Sequence, residues 1–558
     1  MSLAAPGLES DVSKIRFEPS FKSSETEIRA SKTSRNRKKK AELRAQHSVH
    51  DRLQLESNFT FDLRPREGEE QRDFKVDFYL FLPSAMGVES STFTSKNFFR
   101  HLTNHFRVRA PQYHQLKSLE PSELRFESAE KYFVEHLSSY ERAKLSPKLV
   151  QDVKLFGNFL HTELKKLRSA MASKRKLSKP KSKSELASIL LHRVELLWSF
   201  RKRYVSVVRA ERFLQDEEVV RAFTLTDEYL SYRLELVLLR ARDSLGVKCH
   251  EIDDLLSKEV EYREENNLLV LGGGEQDSVV FEGYTYRLGL LKKYLSESLF
   301  VELVSNKKDN LYKNYAAAIG AGLAATVAGL AEHQRVQYLT GDDSGFRLAF
   351  LIGVAVLAYI FKDRVKDLSK EYFNSRLKEK LPDQSFALSH KSYTSKGSEK
   401  IRDLGTASDF FRFMKDVPSD VAYLRTLGQT KASDPERHEN IVHIGRRFSF
   451  GLRSKKHRKL FPLLKNVYRI DISPFLSKLD NPMMPINYLG QNGDAKTVLA
   501  PKVYHVNFVL RSEVRFGTEE DKRFVDYERF RLIVNKNGIV RLEKILEPGT
   551  MAYEEILK

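Results

Sequence analysis

The feature that most limits how this chain can fold is a gap. Between Pro180 and Pro382 lie 201 residues without a proline, whereas nine of the seventeen prolines fall in the 177 residues from Pro382 onward. Proline removes a backbone donor and clashes with the preceding turn, so so long a stretch without it points to long helices. The apolar spacing agrees. Leu149, Val153, Phe156, Leu160, Leu164, Leu167 and Met171 recur at helical spacing, as do Leu186, Leu190, Val194, Leu197, Tyr204 and Val208. Ser182-Lys-Ser-Glu185 has the pattern of a capping box for the second stripe. Further stripes run through Leu230, Leu234, Val237, Ala241 and Leu245, and through Leu291, Leu295 and Leu303. Together they predict a helical bundle over residues 126–312.

The flanks read differently. Residues 1–50 are polar and basic, with the run Arg35–Lys40, and predict a disordered arm. Residues 51–125 contain two strand-like runs, Phe59–Leu63 and Phe74–Leu82, separated by a turn-like stretch. Residues 364–558 carry stronger strand signals at Val503–Val514, Tyr527–Val534 and Ile539–Leu546, the last two joined by the turn Asn535-Lys-Asn-Gly538. Arg446–Leu452 and Val467–Ile472 are weaker strands. The expected fold is mixed and mainly α: a small N-terminal β segment, the bundle, a two-helix transmembrane hairpin over 313–363, and a C-terminal β-rich α+β domain.

The hairpin rests on two apolar segments. Tyr315–Ala331 has no charged residue, and Phe346–Phe361 has Arg347 alone. At ~1.5 Å per residue each reaches about 25 Å, somewhat short of a ~30 Å hydrocarbon core. Charge placement favours the membrane reading over a buried soluble hairpin. Lys307, Lys308 and Lys313 precede the first segment, and Lys362, Arg364, Lys366 and Lys370 follow the second. The loop Glu332–Gly345 between them holds one arginine and three acids. This is the positive-inside pattern for two passes with both termini cytoplasmic, and it suits a bacterial inner membrane. Ala317, Ala321, Ala325 and Gly329, with Gly320, Ala324 and Ala328 beside them, form a small-residue face suited to close helix packing in the lipid bilayer and to a homo-oligomer.

Charge defines the partners. The net charge is +20, an excess that favours anionic lipid headgroups, acidic protein or, less so, nucleic acid. The densest basic cluster is Arg446, Arg447, Arg453, Lys455, Lys456, Arg458 and Lys459, interleaved with Phe448 and Phe450; a second basic run spans Lys165–Lys183. Cys249 is the one cysteine, so no intrachain disulfide forms and cysteine-based metal sites are excluded.

Catalytic signals are weak. Gly272-Gly-Gly274 is followed by Glu275-Gln-Asp277, which would repel a phosphate. His101 and His105 are four apart, with His114 beyond, but basic residues crowd them. Cys249-His250-Glu251 places thiol and imidazole on diverging helical directions. No cofactor or metal is expected. The leading functional expectation is a membrane-anchored scaffold or signalling adaptor. A membrane-associated hydrolase or transferase with a dispersed site, and a tethered nucleic-acid binder, are the alternatives.

Overall fold

The computed structural model describes residues 43–64, 69–111, 124–134, 137–173, 180–209, 216–245, 250–271, 278–305, 381–394, 396–426, 439–452, 461–490, 493–516 and 523–546, with scattered helical positions between 318 and 364. The strands are β1 Leu43–Val49, β2 Gln54–Asp62, β3 Gln71–Pro83, β4 Leu102–Val108, β5 Phe300–Ser305, β6 Gln384–Tyr393, β7 Glu399–Met414, β8 Glu439–Gly451, β9 Leu463–Asp471, β10 Met483–Leu489, β11 Ala495–Pro501, β12 Tyr504–Phe516, β13 Arg523–Asn535 and β14 Gly538–Leu546. Twelve of them form one antiparallel sheet in the order β1-β2-β9-β4-β5-β6-β7-β8-β3-β12-β13-β14.

The sheet curls until its ends meet. The loop after β1 offers the Arg52 carbonyl to the amide of Ile539 in β14, 2.6 Å away. His47 of β1 stacks on Phe530 of β13 with ring centroids 4.7 Å apart. Among the described residues no ladder joins β1 to β14, so the barrel is nearly closed, and the approach of its two ends shields edges that would invite unwanted pairing. Burial pushes the His47 imidazole down to about 3, the Lys544 charge adding to the effect, so the ring is neutral at the seam.

Alternate residues of each strand fill the barrel. Phe59 and Phe61 of β2, Phe74 and Phe78 of β3, Phe106 of β4, Phe448 and Phe450 of β8, and Phe508 of β12 are all buried in one cluster. The Phe61 ring lies 5.0 Å from Phe74 and 4.8 Å from Phe448. This is a packed core: an apolar recess lined by Leu80, Ile470, Phe508 and Leu532 leaves ≈ 10 Å³, no more than one water would need. At Gly405, φ +137, β7 crosses β8 so closely that a Cβ would sit 1.9 Å from the Ser449 carbonyl oxygen.

A polar network enters this core, centred on one cation. Arg446 of β8 is fully buried and faces Asp409 of β7, its direct partner in the ladder. Its Nε donates to Asp409 Oδ1 at 2.8 Å, Nη1 to Asn466 Oδ1 at 2.7 Å and Nη2 to Asn104 Oδ1 at 3.2 Å. The guanidinium also lies 3.7 Å from the Tyr468 ring centroid. Each donor and the charge itself therefore have partners, as a buried cation requires.

Between β4 and β5 the chain makes its helices: α2 Glu127–Val134, α3 Ser139–Met171, α4 Pro180–Phe200, α5 Glu217–Leu245, α6 His250–Glu265 and α7 Ser278–Ser296; the short α1, Ser95–Arg100, lies earlier, between β3 and β4. A capping box at Ser138 and Glu141 starts α3. Proline occupies the first position of α4, where its missing amide costs nothing, so this helix begins ahead of the expected Ser182 box. The stripe from Leu149 to Met171 packs against Leu190, Val194, Leu197, Phe223 and Leu230 in a second core. A π-helical turn at Arg201–Val205 follows α4, and Arg201 binds Asp227 at 2.7 Å and Glu259 at both guanidinium ends. The helices attach to the barrel through α3: the Gln151 side chain donates to the Lys391 carbonyl at 2.9 Å and accepts from the Tyr393 amide.

Two expectations about the fold are corrected. The N-terminal strands and the C-terminal β-rich region are one sheet: β3 lies between β8 and β12, and β9 lies between β2 and β4. Strand pairing over several hundred residues leaves no local signature, so the sequence pattern registers β2, β3, β8, β9 and β12 to β14 but misses their union, β1 within the expected arm, and β5, which holds the Leu303 expected on a helix. The two-pass transmembrane plan is also overturned, because among the described residues no helix is long and apolar enough to cross a membrane. Most of Tyr315–Ala331 and Phe346–Phe361 lies outside the described residues, and the described positions there are helical and exposed. The physical weakness of that plan was length, since each segment falls several ångströms short of the hydrocarbon thickness.

Asp409→Ala leaves Arg446 as an unpaired buried charge and is expected to cost roughly 3–5 kcal/mol of stability. Replacing both partners, with Asp409→Leu and Arg446→Met, should cost less than the single change. Urea unfolding of the three proteins tests this, and a double variant weaker than the single would reject the electrostatic account.

Candidate anion-binding site

The outer wall of the barrel over β5, β4, β9 and β2 is built by the same alternation that fills the interior. Phe106 and Val108 point inward, so Thr103, His105 and Arg107 point outward. In the ladder Arg107 faces Lys465 of β9 on one side and Phe300 of β5 on the other, and Lys465 in turn faces Thr60 of β2. The row therefore reads Phe300, Arg107, Lys465, Thr60 across four adjacent strands. Two rows away on the same face, Arg469 donates to Glu56 at 2.6 Å and is neutralised there. Arg107 and Lys465 are instead direct cross-strand neighbours of like charge, an arrangement that destabilises a sheet.

Helices add to the positive field. Burial pushes the Lys465 ammonium down to about 8, and the charges of Arg107, Lys165 of α3 and Arg109 lower it further against the opposing pull of Glu56. Lys292 of α7 is lowered by burial and then by Arg233 of α5, Arg107 and Lys165. Burial, with Arg233, Lys165 and Lys292, takes His161 to about 3. His105 is lowered by burial and by Arg469, Arg107 and Lys465. These groups span the junction of barrel and helices, and Lys465, Lys292, His161 and His105 are each harder to charge because of the cations around them. Among the described residues no carboxylate is within ion-pair distance of Arg107, Lys165, Lys292 or Lys465. Phe300, 43 % exposed, borders the strip, with His105 edge-on to its ring at 6.4 Å.

A second polar cluster on the barrel wall is balanced rather than frustrated. Nε2 of His443 lies 2.9 Å from Asp77, and Lys75 approaches the same carboxylate at 3.0 Å. Burial opposes the Asp77 charge, yet these two partners hold its carboxyl below the usual range. Tyr79 beside it is pushed up to about 12 by burial and by Asp77. Cation and anion cancel here, and the cluster fixes β3 to β8.

The residues singled out from the sequence are placed elsewhere. Arg446 is inside the barrel and bound to Asp409, so its charge does not reach a surface partner. Arg447 is exposed and stacks over Phe410 at 5.2 Å. Arg453, Lys455, Lys456, Arg458 and Lys459 lie outside the described residues, as do Ala317, Gly320, Ala324 and Ala328. Ala321, Ala325 and Gly329 are helical and exposed. His105 is on a strand among cations, and among the described residues no group of His, Cys, Asp and Glu could hold a metal. Of the strip, sequence reasoning registered Lys165, as part of a basic run, and His105, as one of a trio of histidines weighed as metal ligands. The signal available for the rest was parity: Arg107 with Arg109, and Lys465 with Arg469, fall on one face of a strand. No protein-family model, curated protein or solved structure matches the chain.

Because the folded chain holds Lys465 near 8 rather than the ordinary 10.5, the unfolded chain binds more protons between those values. Stability should therefore rise with pH across that window. Lys465→Gln should flatten that part of the rise in a series of urea titrations. Identical slopes in the two proteins would exclude a perturbed lysine.

Proposed function

We propose that the chain is a non-catalytic adaptor that holds a polyanionic partner against the outer wall of its barrel. The observation that carries this reading is the pair Arg107 and Lys465, side by side and partly buried, with no carboxylate in ion-pair distance among the described residues and Glu56 acting on both only from farther away. Such a pair costs the free protein stability, and a bound anion removes the cost. A stability cost retained at one place marks a surface kept for binding rather than for folding. The net charge of +20 supports the same class of partner by drawing anions towards the molecule. The packed barrel interior supports a role for the outer surface over one for the lumen.

Nucleic acid is a second reading, favoured by one observation. Phe300 offers an exposed ring in the row that holds Arg107, and single strands are held by phosphate contacts together with base stacking.

Lys465→Gln is expected to act in opposite directions on two measurements. It should raise the melting temperature by relieving repulsion, and weaken binding of a polyanion by about tenfold, the worth of one charged contact near 1.4 kcal/mol. The probes are a single-stranded oligonucleotide, vesicles containing an anionic lipid, and an acidic peptide, each titrated at two salt concentrations. Phe300→Ala should weaken the oligonucleotide alone if the nucleic-acid reading holds. Unchanged binding of all three probes by Lys465→Gln would overturn the proposal.

A further inference from the structure

The strands β10 and β11 stand apart from the barrel as a two-stranded sheet. Every residue of β10 is exposed, and so is every residue of β11 except Ala500. Both faces are apolar. Met484, Ile486, Tyr488 and Val498 line one face; Met483, Leu489 and Leu499 line the other, with Pro485 and Pro501. Lys496 is the sole charge within either strand. An isolated hairpin of this kind is marginal in water, and three or more strands are needed for independent stability. The seven large apolar side chains are 45–76 % exposed.

The backbone selects the partner. The Gly490 amide donates to Asp494, and Lys502 to Pro482, both at 2.8 Å. With the register fixed, even-numbered residues of β10 bond inward and odd-numbered ones point their amides and carbonyls outward. On β10 that outer edge is interrupted, because Pro485 has no donor. On β11 the amides of Ala495, Thr497 and Leu499 form an unbroken outward row, and Pro501 lies beyond it. Among the described residues, neither edge is paired with another strand. Hydrocarbon cannot satisfy such a row, so a lipid interior is excluded as its cover. A strand can, and β11 is antiparallel to itself when turned about a two-fold axis.

We infer that β11 is a homodimer interface: two copies of the chain join their β11 edges antiparallel to make a four-stranded sheet, which satisfies the outward row of amides and passes the three strands that independent stability requires. The contact is isologous, with one edge meeting its own copy, and therefore closes at two subunits. The interface is separate from the anion-binding strip on β4 and β9.

Two proline variants of the full chain test it. Thr497→Pro removes the central outward donor of β11 without touching the backbone hydrogen bonds to β10. Asn487→Pro does the same on β10, and both changes abolish the bond from Thr497 Oγ1 to Asn487 Oδ1, 2.8 Å. In light scattering the wild type and Asn487→Pro should have twice the chain mass of 64.6 kDa, and Thr497→Pro the single mass. A cysteine pair guards against misfolding. Thr497→Cys should cross-link between chains under an added oxidant far faster than Asn487→Cys. A monomeric wild type, a dimeric Thr497→Pro, equal cross-linking of the two cysteine variants, or hairpin-dependent binding to vesicles by a monomer would each overturn the inference.

Discussion

Arg446 is the point on which the barrel is assembled. Its guanidinium reaches β7 through Asp409, β9 through Asn466 and β4 through Asn104, while its own backbone belongs to β8. Asn466 ties the far side again, donating to Asn104 at 2.8 Å and to the His105 carbonyl at 3.2 Å. A wall of strands packed with phenylalanine could slide in register at little cost to apolar burial. A buried charge with one set of partners cannot, because any slip leaves it unpaired in a low-dielectric interior. The network therefore fixes register where aromatic packing alone would leave it loose.

That registry has an effect on the opposite side of the same strands. Asn104 and Asn466 point inward from β4 and β9; their neighbours in the chain, His105, Lys465 and Val467, must then point outward. The alignment that satisfies Arg446 inside the barrel thus brings Arg107 opposite Lys465 outside it. Cation frustration on the wall is held in place by cation satisfaction in the core. The helices complete the strip because α3, fastened through Gln151 and through Lys154 to Glu297 at 2.6 Å, carries Lys165 towards β9.

What the sequence disclosed follows from range. Helical stripes such as Leu149–Met171 are written within a few turns, and they are buried. The runs Phe74–Leu82, Val503–Val514 and Tyr527–Val534 alternate within a few residues and are strands. Pairing partners are not written locally, so nothing near β3 pointed to β8 and β12. The apolar segments after residue 313 carried a real charge asymmetry, but that pattern describes flanks and does not supply the missing length. Arg446 was grouped with its basic neighbours by composition. Its parity was the better guide, since Val442, Ile444, Phe448 and Phe450 share it and all are buried. The hairpin β10–β11 went unread; its prolines Pro485 and Pro501 sit at outward edge positions where no ladder bond is lost.

The interleaving of early and late strands sets a timetable for biosynthesis. Asp77 and His443, which meet across β3 and β8, are 366 residues apart in the chain. At ~5–20 residues per second a ribosome needs tens of seconds to deliver the second after the first. Throughout that interval β2 and β3 exist with their phenylalanines and no sheet to join, while the helical segment, whose contacts are nearby in sequence, can fold as it emerges. Before β6 is made only the pairs β1–β2 and β4–β5 have both of their strands, and β3 has neither neighbour before β8. The nascent chain's vulnerability to aggregation lies in the order of synthesis, and a chaperone that shields aromatic strands would act on this protein before its C-terminal half has been made.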